Sequence, residues 1–188
     1  MEINLSSSRS REDIAELLDR VSLVVVDLAT YVQVRDGLLF HALRFTECTT
    51  VFLSFNLPAS KVRKNLGEAG MSDRLYVIDC VTRLSPAGER QPEIGSYQVS
   101  SPGSLADISD SLEHVFTEFK RPILLVIDTI NSLLPYNKFE GTVQFLQMLV
   151  MKVRNNDAKS TLLALDGLDR RLVPLVGAMC DTSAKVVS

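Results

Sequence analysis

Four short apolar runs in this chain end on the same residue type: VVVD at 24–27, YVID at 76–79, LVID at 125–128 and LALD at 163–166. Each is apolar at successive residues rather than at alternate ones, which is the pattern of a strand buried on both faces. Between the runs the apolar residues recur at helical spacing, and strands that alternate with amphipathic helices predict a parallel sheet covered by helices on both sides. In such a sheet all four carboxylates, Asp27, Asp79, Asp128 and Asp166, fall on one edge. That carboxyl edge is where open α/β sheets hold their ligands.

The order of elements follows from the same periodicities. A helix is expected over 10–20, opened by Ser10 as a cap, then strand 23–26 and a helix over 35–45 that buries Leu39, Ala42 and Leu43. Strand 51–55 turns at Pro58 into a helix with Val62, Leu66 and Ala69 inward, stopping near Gly70, and strand 75–78 follows. The segment 84–103 is rich in Pro, Gly and Ser and long for a connection, so it is either a mobile functional loop or an excursion at a sheet edge. Ser104 then caps a helix whose apolar stripe runs from Leu105 to Phe119. Strand ILLVID, a helix over 139–154, strand 161–165, a short helix over 171–179 and a last strand over 184–187 complete a single domain spanning 1–188, without internal repeats.

Composition narrows the function classes. The 188 residues are 46% apolar, enough for a sizeable core, and 20 basic against 23 acidic residues give a net charge of −3 with no basic run. The electrostatic footprint of a nucleic-acid binder is missing. Cys48, Cys80 and Cys180 are odd in number and far apart, which fits reduced, buried thiols rather than disulfides or zinc. With no signal segment and no apolar run long enough for a bilayer, a soluble cytoplasmic protein is expected.

The carboxylates permit two readings. Clustered hard oxygens at the ends of Asp27, Asp79 and Asp128 would suit Mg²⁺, whereas each Asp taken singly is also a good turn former and helix cap. His41 and His114 lie on expected helices without a carboxylate or Cys at ligand spacing, and are read as surface or interface residues. The run KVRKN at 61–65 is read as the solvated face of its helix.

PILLVIDTINSLL at 122–134, a strand with terminal Asp128 followed by Thr129 and Ser132, resembles the Walker B region of RecA-type ATPases, particularly the group similar to the circadian-clock ATPase KaiC. TVFLSFNLPASKVRKNLGEAGM at 50–71 is similar to the KaiC-like segment in which a strand ends in Ser-Phe-Glu-Glu-x-Pro and runs into a helix ending in Gly. DRLYVIDC and MCDTSAKVV resemble the third and closing strands, so the likeness covers roughly 12–187. It implies a three-layer α/β/α, RecA-like fold of the P-loop NTPase type.

The departures from that family carry as much information. A P-loop needs G-x-x-x-x-G-K-[ST], because glycines let backbone N–H groups converge on phosphates, Lys neutralises charge and the hydroxyl holds Mg²⁺. Here the same place reads DLATYVQVRDGLL: Asp27 brings a negative charge, Tyr31, Val32 and Val34 are bulky or β-branched, and Gly37 is the only glycine. The paired glutamates, of which the first looks like the general base, are Asn56 and Leu57, and neither accepts a proton. What remains of a degenerate nucleotide site is Asp128, Thr129 and the cation of Arg35. Asp128 is then either a retained Mg²⁺ ligand or a leftover that caps the turn into Thr129, and the missing phosphate loop favours the leftover.

The leading expectation is a non-catalytic pseudo-ATPase domain, without a cofactor, that works through protein partners: itself, as a homo-oligomer, or another RecA-like ATPase. The segment 84–103 is the candidate contact region. The alternative is a Mg²⁺-dependent protein that binds ATP or ADP, or transfers phosphoryl groups, at the acidic edge of Asp27, Asp79 and Asp128, which demands a cation among the carboxylates.

Overall fold

The β-branched runs form strands and the periodic stretches between them form helices, as a computed structural model describing residues 2–4, 10–84, 93–120 and 122–187 shows. In chain order the main elements are β1 (Glu2–Asn4), α1 (Ser10–Leu18), β2 (Val21–Val26), α2 (Tyr31–Phe45), β3 (Thr49–Ser54), α3 (Ala59–Leu66) and β4 (Leu75–Asp79). They continue with β5 (Ser96–Gln98), α4 (Leu105–Glu118), β6 (Ile123–Ile127), α5 (Phe139–Asn155), β7 (Lys159–Leu165), α6 (Leu172–Gly177) and β8 (Thr182–Val187). The eight strands form one sheet in the order β1-β8-β2-β7-β6-β3-β4-β5. Every pairing in it is parallel.

Because the side chains of a strand alternate, the continuous apolar runs feed two cores. Leu23, Val25, Leu53, Ile127 and Leu162 face one side, where α4, α5 and α6 deliver Ile108, Leu112, Leu146, Val150 and Val176. Val24, Val26, Phe52, Val126 and Leu163 face the other, where α1, α2 and α3 deliver Leu17, Leu38, Leu39, Leu43 and Val62. Helices that carry the chain one way along the sheet lie on one face, and those that bring it back lie on the other, as a constant crossover hand requires. Adjacent strands β3 and β6 are therefore followed by helices on opposite faces. So are β2 and β7, and it is beside such pairs, at the carboxyl edge, that open α/β sheets hold their ligands.

Several boundaries differ from those read off the sequence. Helix α2 begins at Tyr31, one turn before the expected 35, because Thr30 and the chain at Asp27 close the turn directly: the amide of Thr30 donates to the Asp27 carbonyl at 3.1 Å. Phe119 is not in α4, which ends at Glu118; it leaves the helix and sets its ring edge-on to Tyr76, centroids 5.2 Å apart. Ser104 stands at the start of α4 without a side-chain cap bond, its hydroxyl instead accepting from Ser100 at 2.7 Å. The side chain of Ser10 lies outside the described residues. The short helix α6 covers 172–177 rather than 171–179. Within 84–103, the part at 85–92 lies outside the described residues, and the rest supplies β5 at the sheet edge. The strand β1 carried no sequence signal.

The KVRKN expectation fails for Arg63. Its guanidinium donates to the carbonyls of Gly70 at 2.6 Å, Leu75 at 2.9 Å, Ile94 at 3.2 Å and Gly95 at 3.0 Å, and so ties the end of α3 to the β4–β5 edge. Gly95, at φ 73°, is required there: a Cβ would stand 2.7 Å from the Arg63 guanidinium.

Candidate functional site

The four strand-end carboxylates share the carboxyl edge but meet different fates. Asp27 is exposed at the end of β2. Asp79, 1% exposed, accepts from the amide of Ala59 at 2.8 Å and the hydroxyl of Thr82 at 2.6 Å on one oxygen. Its other oxygen accepts from the amides of Val81 at 3.0 Å and Thr82 at 2.9 Å. This carboxylate caps α3 across the sheet and closes the turn after its own strand, so its lone pairs are spent on backbone and hydroxyl donors. Asp166 pairs on the surface with Lys185 at 2.7 Å, which holds its carboxyl below the usual carboxylate range. Among the described residues no three His, Cys, Asp or Glu side chains converge as a metal-holding group.

Asp128, like Asp79, is buried, with no exposed surface. Strand β6 delivers it above the sheet, its amide donating to the Leu53 carbonyl at 2.9 Å. One carboxylate oxygen accepts from the Thr129 amide at 2.8 Å and from the Tyr31 hydroxyl. The other accepts from the Asn56 amide group at 3.0 Å. Asn56 also donates to the Thr129 hydroxyl at 3.1 Å, and Ser132 donates to the Asn56 side-chain carbonyl at 3.0 Å. Since the Ser132 proton is committed, the 2.6 Å contact between Thr129 and Ser132 is donated by Thr129. Asn56, Thr129 and Ser132 thus form a closed ring of three hydrogen bonds beside the carboxylate.

Tyr31 occupies the first turn of α2 on the helix face that also carries Val34 and Leu38, and is 9% exposed. Burial, followed by the negative charge of Asp128, raises its phenol far above the ordinary range and keeps it a hydrogen-bond donor. Arg35, 3% exposed, sits one turn further on, 5.2 Å from the centroid of the Tyr31 ring and 3.4 Å from its hydroxyl. Its guanidinium is engaged by Asp36 at 2.8 Å through two nitrogens. The cation expected for a phosphate therefore faces a tyrosine and a neighbouring carboxylate. Cys80 lies near the site, but burial and the charges of Asp79 and Asp128 push its thiol well up, so it is no thiolate nucleophile. His114 is exposed, and His41 packs its ring 4.8 Å from Phe45.

Of the expected nucleotide-site residues, the fold brings Asp128 and Thr129 together and links Arg35 to them only through Tyr31. Sequence reasoning treated Tyr31 and Asn56 as losses; in the fold both are donors to Asp128. The signal for Tyr31 was present in the i, i+3, i+7 series with Val34 and Leu38, which places it inward. The Asn56 contact spans 72 residues and has no local signature.

A model of a family of unknown function matches residues 22–185. Among curated proteins none matches the sequence. Among solved structures the chain resembles uncharacterized protein PH0321 from Pyrococcus horikoshii, crystallised with an unknown peptide, with TM-score 0.64 and 16% identity over 88% of this chain and 77% of that one. It is similar to the KaiC-like protein PH0186 from the same archaeon, with TM-score 0.61 and 12% identity over 90% and 72% of the two chains. A third, PH0250 of Pyrococcus horikoshii, gives TM-score 0.62 and 13% identity over 95% and 88%. The three-layer parallel architecture is thus that of KaiC-like proteins of the RecA fold.

Proposed function

This chain belongs to the family of unknown function DUF7504, and from that premise we propose that it is a non-catalytic, RecA-like domain that acts by binding protein partners. One observation carries the proposal: the carboxylate of Asp128 is satisfied by its own chain. Tyr31, Asn56 and the Thr129 amide supply its donors, where a working phosphate site would keep oxygens for a cation and water. The sequence of the β2–α2 turn, DLATYVQVRDGLL, offers neither the glycines nor the lysine that phosphate binding uses. Residue 56, an amide, is unable to activate water.

The partner is either a second copy of the chain or an active ATPase of the same fold. Support for a protein partner comes from PH0321, which shares the fold and was crystallised with a bound peptide. A domain that keeps this scaffold without its chemistry retains surfaces through which it is able to complete or regulate another subunit.

The test is a thermal-shift titration of the purified protein with ATP or ADP, with and without Mg²⁺, alongside Asp128→Ala. A ligand that binds the folded state alone raises the melting temperature by mass action. The expected result is no shift at millimolar nucleotide. A Mg²⁺-dependent shift that Asp128→Ala abolishes would instead establish the acidic edge as a nucleotide site and overturn the proposal. Sedimentation over a range of concentrations tests self-association.

A further inference from the structure

On the β4 side of the sheet, the two outer helical layers carry opposite charge. Helix α4 packs on one face through Ile108, Leu112 and Val115, and Phe119 just beyond it meets Tyr76 of β4. Helix α3 covers the other face through Val62 and Leu66, in the core that also holds Val77 of β4. The outward stripe of α4 is acidic: Asp107, Asp110, Glu113 and Glu118 are all exposed. Lys152 of α5 pairs with Glu113 at 2.6 Å and Asp107 accepts from Ser100, whereas Asp110 and Glu118 form no ion pair among the described residues. Beside this stripe α5 shows Met148 and Met151, 64% and 55% exposed. On the opposite layer the sign is reversed. Lys61 and Lys64 of α3 and Arg44 of α2 are exposed and form no ion pair among the described residues. One turn before Arg44, Phe40 is 46% exposed, and both line a groove of about 680 Å³ between α2 and the end of α3, where Arg44 and Arg74 outweigh Glu68.

We propose that copies of this chain stack head to tail, the acidic α4–α5 surface of one copy against the basic α2–α3 surface of the next. A second copy fits because it brings both signs itself. Like surfaces repel, which disfavours a two-fold contact through either layer, while unlike surfaces attract and give a heterologous contact. The apolar residues match in kind as well: exposed methionines on one surface face an exposed phenylalanine on the other, a favourable sulfur–aromatic pairing. Charge in such a contact sets encounter and register more than affinity, and it makes association sensitive to salt. The contact uses the outer helices and leaves the buried Asp128 aside. The inference rests on the reading above that the domain acts through protein partners, and it names a second copy as the partner.

The experiment is sedimentation velocity on the full chain over a range of concentrations, at low and at high NaCl, without nucleotide or added metal. It compares the wild type with Lys61→Glu/Lys64→Glu, with Asp110→Lys/Glu118→Lys and with an equimolar mixture of the two variants. The wild type is expected to self-associate, and less so as salt rises. Each variant alone carries one sign on both surfaces and is expected to associate at least about tenfold more weakly, whereas the mixture regains association. A wild type that stays monomeric, a variant that associates as the wild type does, or a mixture that fails to recover overturns the stacking. Should a charge reversal disturb folding, Lys61→Gln/Lys64→Gln and Asp110→Asn/Glu118→Gln take its place, and association that neither of them weakens overturns the stacking as well. Failure of the preceding reading looks different, since it appears as a shift of the wild-type melting temperature by nucleotide with Mg²⁺.

Discussion

At the scale of single residues, the donors around Asp128 come from its own chain: Tyr31, Asn56 and the Thr129 amide. Asp128 without partners would be a buried charge that the fold could not tolerate, so Tyr31 and Asn56 are structural. Asp128→Ala removes the acceptor for three donors and is expected to cost about 2–4 kcal/mol in urea denaturation. Tyr31 also imposes a pH dependence with a definite sign. Its phenol is raised in the folded chain above the ordinary value of 10.0, so the folded state keeps a proton that the unfolded state releases. That contribution is fully present below pH ~10 and is lost as pH rises above it. Tyr31→Phe should flatten this alkaline fall in stability, and a profile unchanged between the two proteins would show that the phenol does not carry it. The sequence pointed to Asp128, Thr129 and Arg35 together, and the fold sets Asp128 and Thr129 in direct contact. Arg35 faces Tyr31 and Asp36, and that Tyr31 is its neighbour is decided by helix register and not by residue type.

At the scale of elements, two side chains join pieces that periodicity alone left independent. Asp79 ends β4 yet caps α3, the helix that precedes it. Asp79→Ala is expected to cost about 2–3 kcal/mol and to speed amide exchange at Ala59, Val81 and Thr82 together, since one carboxylate holds all three amides. Arg63 holds four carbonyls around the β4–β5 edge, and β5 has three residues and one neighbouring strand. Arg63→Ala should lower the free energy of local opening there by about 1–2 kcal/mol, read as faster exchange at 96–98 with the central strands unaffected. Equal acceleration across the sheet would refute this role. The strands were legible because strand and helix have different apolar periods. The short edge strands were not, because three residues are too few to show a period.

At the scale of the whole molecule, the two cores lie on opposite faces of one sheet and share its strands. Loosening either removes support from the same backbone, so a single cooperative transition is expected, with far-UV and near-UV circular dichroism melting together. Phe52→Ala on one face and Leu125→Ala on the other should each lower the same midpoint, by about 2–5 kcal/mol of stability. Separate transitions would show that the layers unfold independently. Among the described residues no helix is long and apolar enough to cross a membrane. The strand order places β7 and β6 between β2 and β3, which is how Tyr31, Asn56 and Asp128 come to meet although they follow three different strands.

The sequence by itself determined the α/β class, the positions of most elements and the edge on which the carboxylates lie. Each of these depends on local period or local chemistry, which a linear chain displays. The tertiary structure alone decided which carboxylate is a cap, which is an exposed ion pair and which is sealed. Those outcomes depend on donors brought from 19 to 97 residues away, and a chain reveals such partners only once the order of strands has set them side by side.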